Sequence, residues 1–216
     1  MLVRDCMTPN PTTVRMDSDP MAAQTLMRYG KLRHLPVLDS NDRLVGIVTT
    51  SDLNLFFSTA PSPGVARRQY RVDQVMTSPV TTVPPDYPLE EAAELMRVTR
   101  ITGLPVVKGE QLVGIITLGD ILATLVKALG RDALSSLRVT VQVPNRPGQL
   151  ARVAAKLAAL DCNIYSVVSA VTNDQGQLTM RLQGAERETV LQALEELEEI
   201  HVVHVWEKPE TDVTTG

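Results

Sequence analysis

The chain has 216 residues, is 44% apolar and 21% charged, and carries a formal net charge of −4. That composition excludes wholesale disorder, collagen and a coiled coil, and its acidic balance argues against a broad basic face for nucleic acid, leaving at most a local patch. Aromatic residues make up only 3%, so the core has to be assembled from Val, Leu, Ile, Ala and Met. No stretch reaches the ~18 apolar residues of a membrane span; the longest candidates, 112–116 and 121–129, are short or broken by Lys127. The opening MLVRDCMTP has neither the basic nor the apolar region of a signal peptide. Cys6 and Cys162 stand far apart with no partner motif, and read as incidental thiols of a cytoplasmic protein rather than as a disulfide or redox pair.

Self-similarity dominates the first two thirds. Residues 3–53 and 72–121 align with one gap, at about 19 identities over about 50 positions. Met7-Thr8 recurs as Met76-Thr77, Thr12-Thr13-Val14 as Thr81-Thr82-Val83, and Leu26-Met27-Arg28 as Leu95-Met96-Arg97. Leu35-Pro36-Val37 recurs as Leu104-Pro105-Val106, and Leu44-Val45-Gly46-Ile47 as Leu112-Val113-Gly114-Ile115, both times followed by Thr-x-x-Asp. A unit of ~50 residues buries too little surface to hold a core alone, so the two are expected to pack on each other as one module.

Each unit reads strand, helix, strand, strand, helix. In the second, Thr81–Val83 is a short β-branched strand, and the Pro-Pro-Asp-Tyr-Pro run stops it and starts a helix, with Pro88 suited to the first turn. Leu89, Ala92, Ala93 and Met96 fall on one helical stripe, and Glu90, Glu91 and Glu94 lie off it. Leu104–Val107 and Leu112–Thr117 are short strands around a hairpin turn at Lys108-Gly109-Glu110. Asp120 then opens a helix running through Leu129. The first unit occupies 1–57 and the second 70–130. Between them 58–69, STAPSPGVARRQ, reads as an exposed linker whose basic cluster of Arg67, Arg68 and Arg71 is either simply solvated or an anion or partner contact.

The last third follows another pattern. Arg138–Val143 alternates as a strand, 145–148 is a turn, and Leu150, Val153, Leu157 and Leu160 mark an amphipathic helix. Ile164–Ala170 and Leu178–Leu182 are strands around a turn at Asn173–Gln177. Val190, Leu191, Leu194 and Leu197 mark a second helix with Glu186, Glu188, Glu195, Glu196, Glu198 and Glu199 on its solvated face, and His201–Trp206 is a last strand. The order β-α-β-β-α-β over 136–207 is the ferredoxin-like arrangement, followed by a polar tail at 208–216.

The repeat signature, MTxxxxTV, then LPV, then LVGIxTxxD, resembles a tandem pair of CBS domains, a Bateman module. VPNRPGQLARVAAKLAALDCNIYSV resembles an ACT domain. The whole layout is similar to the acetoin-utilisation protein B family. The implied fold is α+β, two CBS repeats (β-α-β-β-α) packed as one module plus a C-terminal ferredoxin-like ACT domain.

The resemblance implies an adenosyl ligand (AMP, ADP, ATP or S-adenosylmethionine) in the clefts between repeats, with or without Mg²⁺ alongside. Asp52 with Thr49 and Ser51 would form one set, and Asp120 with Thr117 the other. Arg33 and Thr102, before the LPV segments, would face the ligand, and Thr12 and Thr81 would lie near the base. A carboxylate suits the two hydroxyls of a ribose, and a helix start with hydroxyls suits a phosphate; Asp at a helix start is equally an ordinary N-cap. In the second set Gly119 replaces a hydroxyl residue and Thr102-Gly103 replaces Arg33-His34, which favours a single occupied site at the first. The sparse cations of the cleft favour a monophosphate or adenosyl group over a triphosphate. Met7 and Met76 either line the base pocket or pack.

For the C-terminal domain the resemblance implies a small ligand, often an amino acid, at Asn145, Gly148, Gln149 and Leu150; the alternative is a domain that only dimerises. No nucleophile elbow, zinc-protease, P-loop or dinucleotide motif occurs. His201 and His204, three apart on a strand, fall on opposite faces by simple alternation and so do not converge on a metal. His34 either touches an anion or caps an edge, and Trp206 reads as a packing residue. The expectation is a cytoplasmic, non-enzymatic, homodimeric regulator of a partner protein in acetoin or acetyl metabolism, with no nucleic-acid or membrane partner. The rivals are an enzyme, a dimerisation scaffold with vestigial pockets, and an amino-acid sensor working through the ACT domain.

Overall fold

The computed structural model describes residues 1–59, 70–130, 137–172 and 174–207. The predicted linker from residue 60 on, with Arg67 and Arg68, and the tail at 208–216 lie outside the described residues. The chain divides into two compact units, Met1–Leu122 and Ala123–Gly216. No described helix is long and apolar enough to cross a membrane.

In repeat 1, β1 (Thr8–Pro9) and β2 (Val14–Arg15) lead to α1 (Pro20–Gly30), β3 (His34–Leu38), β4 (Leu44–Thr49) and α2 (Thr50–Thr59). Helix α1 starts where Asp19 accepts from the Met21 amide at 2.8 Å, with Pro20 preset for the first turn. It ends on Lys31 in the left-handed conformation. Repeat 2 follows with α3 (Leu89–Thr99), β5 (Gly103–Lys108), β6 (Gln111–Thr117) and α4 (Leu118–Ala128). The expected strand at Thr81–Val83 reduces to one parallel bridge, Val83 to Val106. The prolines that follow it have no amide to extend a ladder. Pro88 stands just before α3 rather than inside its first turn.

The two repeats are interlocked, which the alignment alone did not anticipate. β1 belongs to repeat 1 by sequence yet pairs with β6 of repeat 2, Thr8 opposite Ile115 and Pro9 opposite Gly114. Reciprocally, Thr77 bridges Ile47 through hydrogen bonds of 2.8 and 3.1 Å. Val3 is buried in the repeat 2 core beside Val83, Leu89, Met96 and Leu104, and Val72 in the repeat 1 core beside Val14, Met27 and Leu35. Each lead-in segment thus completes the core of the other repeat, the physical answer to a unit too small to bury its own.

Glycine makes the interlock possible. A Cβ on Gly46 would collide with Met76 Sδ, and one on Gly114 with Met7 Sδ. The glycine of each LVGI segment is therefore the seat of the methionine from the other repeat, so Met7 and Met76 pack.

The C-terminal domain contains β7 (Leu137–Pro144), α5 (Gln149–Ala158), β8 (Asn163–Thr172), β9 (Gln175–Gln183), α6 (Arg187–Glu195) and β10 (His201–Glu207). They form an antiparallel sheet in the order β10-β7-β9-β8. Its core joins Val139, Val141, Val153, Leu157, Met180 and Leu194. The strands around the predicted turn at Asn173–Gln177 are longer than expected. Pairing of Thr172 with Gln175, and of Pro144 and Val143 with Gln175 and Gly176, carries the ladder into it.

The alternation expected for His201 and His204 also fails. A bulge sets His201 opposite Gln142 and His204 opposite Thr140, two positions on one face of β7. No group of three metal-binding side chains is present among the described residues.

Candidate functional site

The Thr-x-x-Asp segment of repeat 1 lies where β4 turns into α2. Thr49 immediately precedes the helix and Asp52 sits in its first turn. Asp52 Oδ2 accepts from the Thr49 amide at 2.8 Å and from its hydroxyl at 2.7 Å, and the Asp52 amide donates to Thr49 Oγ1 at 3.3 Å. This is a reciprocal capping box. Repeat 2 reproduces it between Thr117 and Asp120, at 2.8, 2.7 and 3.4 Å. Neither aspartate is an N-cap, the alternative the sequence left open; the threonine caps and the aspartate answers it. One oxygen of the carboxylate is committed to the fold, and the other, Oδ1, accepts no hydrogen bond among the described residues.

Asp52 lines a cleft of about 510 Å³ with walls from both repeats. Arg33, His34, Thr49, Thr50 and Ser51 stand on one side; Thr77, Val80 and Thr81 come from the lead-in to repeat 2, and Arg100, Ile101 and Thr102 from the junction of α3 and β5. Of the residues expected to bind nucleotide, Arg33, Thr49, Ser51, Asp52, Thr81 and Thr102 meet here, and Thr12, Thr117 and Asp120 do not line this cleft. The interlock explains the division, because Thr81 is carried to the Asp52 side by the same segment that pairs Thr77 with Ile47. The sequence reading missed Arg100, a second cation in the cleft. Its position at the left-handed end of α3, φ 59°, is equivalent to Lys31 at the end of α1, φ 52°.

His34 bridges the repeats. Its Nε2 is 2.9 Å from Thr102 Oγ1. A Cβ on Gly103 would lie 2.9 Å from His34 Cδ2, so the glycine occupying the equivalent position in repeat 2 makes room for the ring. Burial holds the His34 pKa below its ordinary value, the Arg33 charge adds to that, and Asp52 opposes both. The cleft therefore presents a neutral imidazole at pH 7, with Arg33 and Arg100 as its cations and Asp52 as its anion.

In the C-terminal domain Gly148 precedes α5 with φ 91°, a conformation that favours glycine, and nothing lies within 4 Å of where its Cβ would be. Gln149 is buried and accepts from Arg152 at 3.1 Å. Leu150 is exposed, and the Asn145 amide donates to the Asp174 carbonyl at 3.2 Å. Gly148 thus serves the backbone angle at the start of α5.

The CBS-domain family model matches residues 3–58 and 72–127, and a TTHA0829-like ACT domain model matches 135–206. A CBS domain-containing protein of Dictyostelium discoideum is 33% identical over 136 residues, 60% of this chain and 94% of that protein. The crystal structure of a Vibrio cholerae protein assigned to acetoin utilization (AcuB) is 32% identical, with TM-score 0.54 over 62% of this chain and 98% of that one. The CBS pair of protein MJ0100, solved with 5′-methylthioadenosine and S-adenosylmethionine, is 28% identical, with TM-score 0.51 over 58% and 95%. CBSX2, solved with AMP, is 30% identical, with TM-score 0.52 over 58% and 97%. A homoserine O-acetyltransferase and an inosine-5′-monophosphate dehydrogenase match over only 23% and 21% of their lengths. The chain belongs to the CBS-domain family, as a tandem CBS pair followed by an ACT domain.

Proposed function

We propose that this protein is a non-enzymatic ligand sensor that binds one adenosyl compound per chain in the Asp52 cleft. The observation that carries the reading is the meeting, in one cleft walled by both repeats, of a carboxylate with a spare oxygen, two arginines and several hydroxyls. Asp52 Oδ1 accepts from the ribose hydroxyls. Val80 and Ile101 offer an apolar wall to the base, with Thr81 beside it. Ser51, at the start of α2, and Arg33 face an anionic substituent of the ligand, a phosphate or the amino-acid carboxylate of S-adenosylmethionine. The adenosyl ligands and AMP held by two related CBS pairs support this ligand class. Asp120, with Thr117 and Thr12, is left as a structural counterpart that does not need to be filled.

Because the walls belong to different repeats, a ligand that binds one arrangement of the repeats better than another shifts the population, with coupling typically of ~1–3 kcal/mol. We assign the ACT domain to homodimerisation or small-ligand sensing, the chain to the cytoplasm, and its output to a partner protein. The likeness to the Vibrio protein makes acetoin or acetyl metabolism the first pathway to test.

The test is a thermal-shift titration with AMP, ADP, ATP, S-adenosylmethionine and a panel of amino acids, with and without Mg²⁺. Ligand at 100 times Kd adds about 2.7 kcal/mol of stability. A shift with an adenosyl compound that disappears in Asp52→Ala is the expected result. No shift with any nucleotide overturns the reading in favour of a scaffold, and a shift with an amino acid alone in favour of the ACT domain.

A further inference from the structure

A second cavity of about 460 Å³ lies between α1 and α2 of repeat 1 and shares Arg33 and Thr50 with the Asp52 cleft. Three of its lining residues are cations, Arg28, Lys31 and Arg33, and none is a carboxylate. In a chain with 21 Lys and Arg among 216 residues, that density is well above background. None of the three makes an ion pair among the described residues. The rest of the polar lining, Gln24, Thr50 and Asn54, can only add neutral hydrogen bonds.

The internal repeat supplies a control within the same molecule. At the equivalent places repeat 2 has Ala93 for Gln24, Leu118 for Thr50, Leu122 for Asn54 and Thr102 for Arg33. Arg97, the counterpart of Arg28, is neutralised by Glu94 at 2.6 Å. One frame has thus been furnished twice: apart from Arg100 at the Lys31 place, repeat 2 carries uncharged side chains and a paired arginine, where repeat 1 carries polar side chains and unpaired cations. A fold requirement would act on both copies alike; an anionic ligand would act on one.

We infer that this cavity is a polyphosphate subsite, entered past Arg33 by the phosphate tail of a nucleotide whose ribose is held at Asp52. The inference rests on the nucleotide reading of that cleft and deepens it: the favoured ligand is an adenosine polyphosphate rather than the monophosphate or uncharged adenosyl group suggested by the cleft's own few cations. Arg28 and Lys31 meet the terminal phosphates, and Arg33, at the junction, meets the first.

The experiment is calorimetric titration of the full chain with AMP, ATP and inorganic tripolyphosphate. It compares the wild type with Arg28→Gln/Lys31→Gln, two exposed positions outside the Asp52 cleft whose folding is checked by melting temperature. Each partly exposed cation–phosphate contact is worth up to roughly fivefold in affinity. The double variant is therefore expected to bind ATP roughly 20-fold more weakly and AMP within twofold of wild type, with the ATP preference shrinking as salt rises. Unchanged ATP binding, or a parallel loss of AMP, overturns the proposal. If wild type binds neither nucleotide but binds tripolyphosphate, and the double variant does not, the Asp52 reading fails and the anion subsite stands. If tripolyphosphate also fails to bind, both fall.

Discussion

The matched capping boxes allow the structural and the binding role of Asp52 to be separated. In Asp52→Ala and in Asp120→Ala the same hydrogen bonds are lost, an amide and a hydroxyl donating at 2.8 and 2.7 Å in each repeat. Losing a helix-capping side chain costs about 1 kcal/mol, so both variants should be destabilised by that amount, to within a few tenths, in urea unfolding without ligand. Binding should divide them. A hydrogen bond to a charged group is worth about 1.5–3 kcal/mol, and its loss at the ribose corresponds to roughly 10- to 150-fold in affinity. Calorimetry with AMP or ATP should show that loss in Asp52→Ala and less than a threefold change in Asp120→Ala. Equal losses in the two variants would mean that binding follows stability or that both sites fill. Wild-type affinity in Asp52→Ala would refute the assignment of the carboxylate.

Three further outcomes follow from the geometry. Gly46→Ala places a methyl group against the Met76 side chain and 3.0 Å from the Thr77 carbonyl oxygen. It should cost about 1–3 kcal/mol, and adding Met76→Ala should recover part of that; simple additivity in denaturant unfolding would contradict the interlock. His34 is held below its ordinary pKa by burial and by Arg33. Its contribution to stability is therefore fully present above about pH 6.5 and is lost as pH falls through the folded value; His34→Gln should flatten that acid limb, and an unchanged slope would assign it elsewhere. Gly148→Ala meets no atom within 4 Å but must hold φ 91°. It should cost roughly 1–2 kcal/mol of domain stability, and a neutral result would show that the loop relaxes.

The two Thr-x-x-Asp segments and the LPV strands were legible because their spacing recurs, and repetition also announced that two small units share one module. What the alignment could not display is which repeat each segment serves. The exchange of Val3 and Val72, and with it the placing of Thr81 beside Asp52 while Thr12 goes elsewhere, depends on tertiary pairing between residues some 30 positions apart, Ile47 and Thr77. His201 and His204 were misread for a local reason, since a bulge between Val202 and His204 is invisible to period-two alternation. Arg33 is legible beside the LPV segment and Arg28 recurs as Arg97, but nothing in the spacing shows that these two and Lys31 line one cavity. Their meaning emerges only when α1 and α2 face each other and repeat 2 is set beside them.

The ACT domain was legible as an order of elements, and less so as a site. Its loop residues are where the pattern put them, but Gln149 is buried and bonded to Arg152 rather than offered to a ligand. Sedimentation with and without amino acids is the assay that separates dimerisation from sensing in this domain.

The most direct measurement is a crystal structure of the full chain grown with ATP. Ribose hydroxyls are expected within hydrogen-bonding distance of Asp52 Oδ1, the base beside Thr81 and Val80, and the phosphates passing Arg33. A nucleotide found at Asp120 with the Asp52 cleft unfilled, or held outside the CBS pair altogether, would contradict that placement.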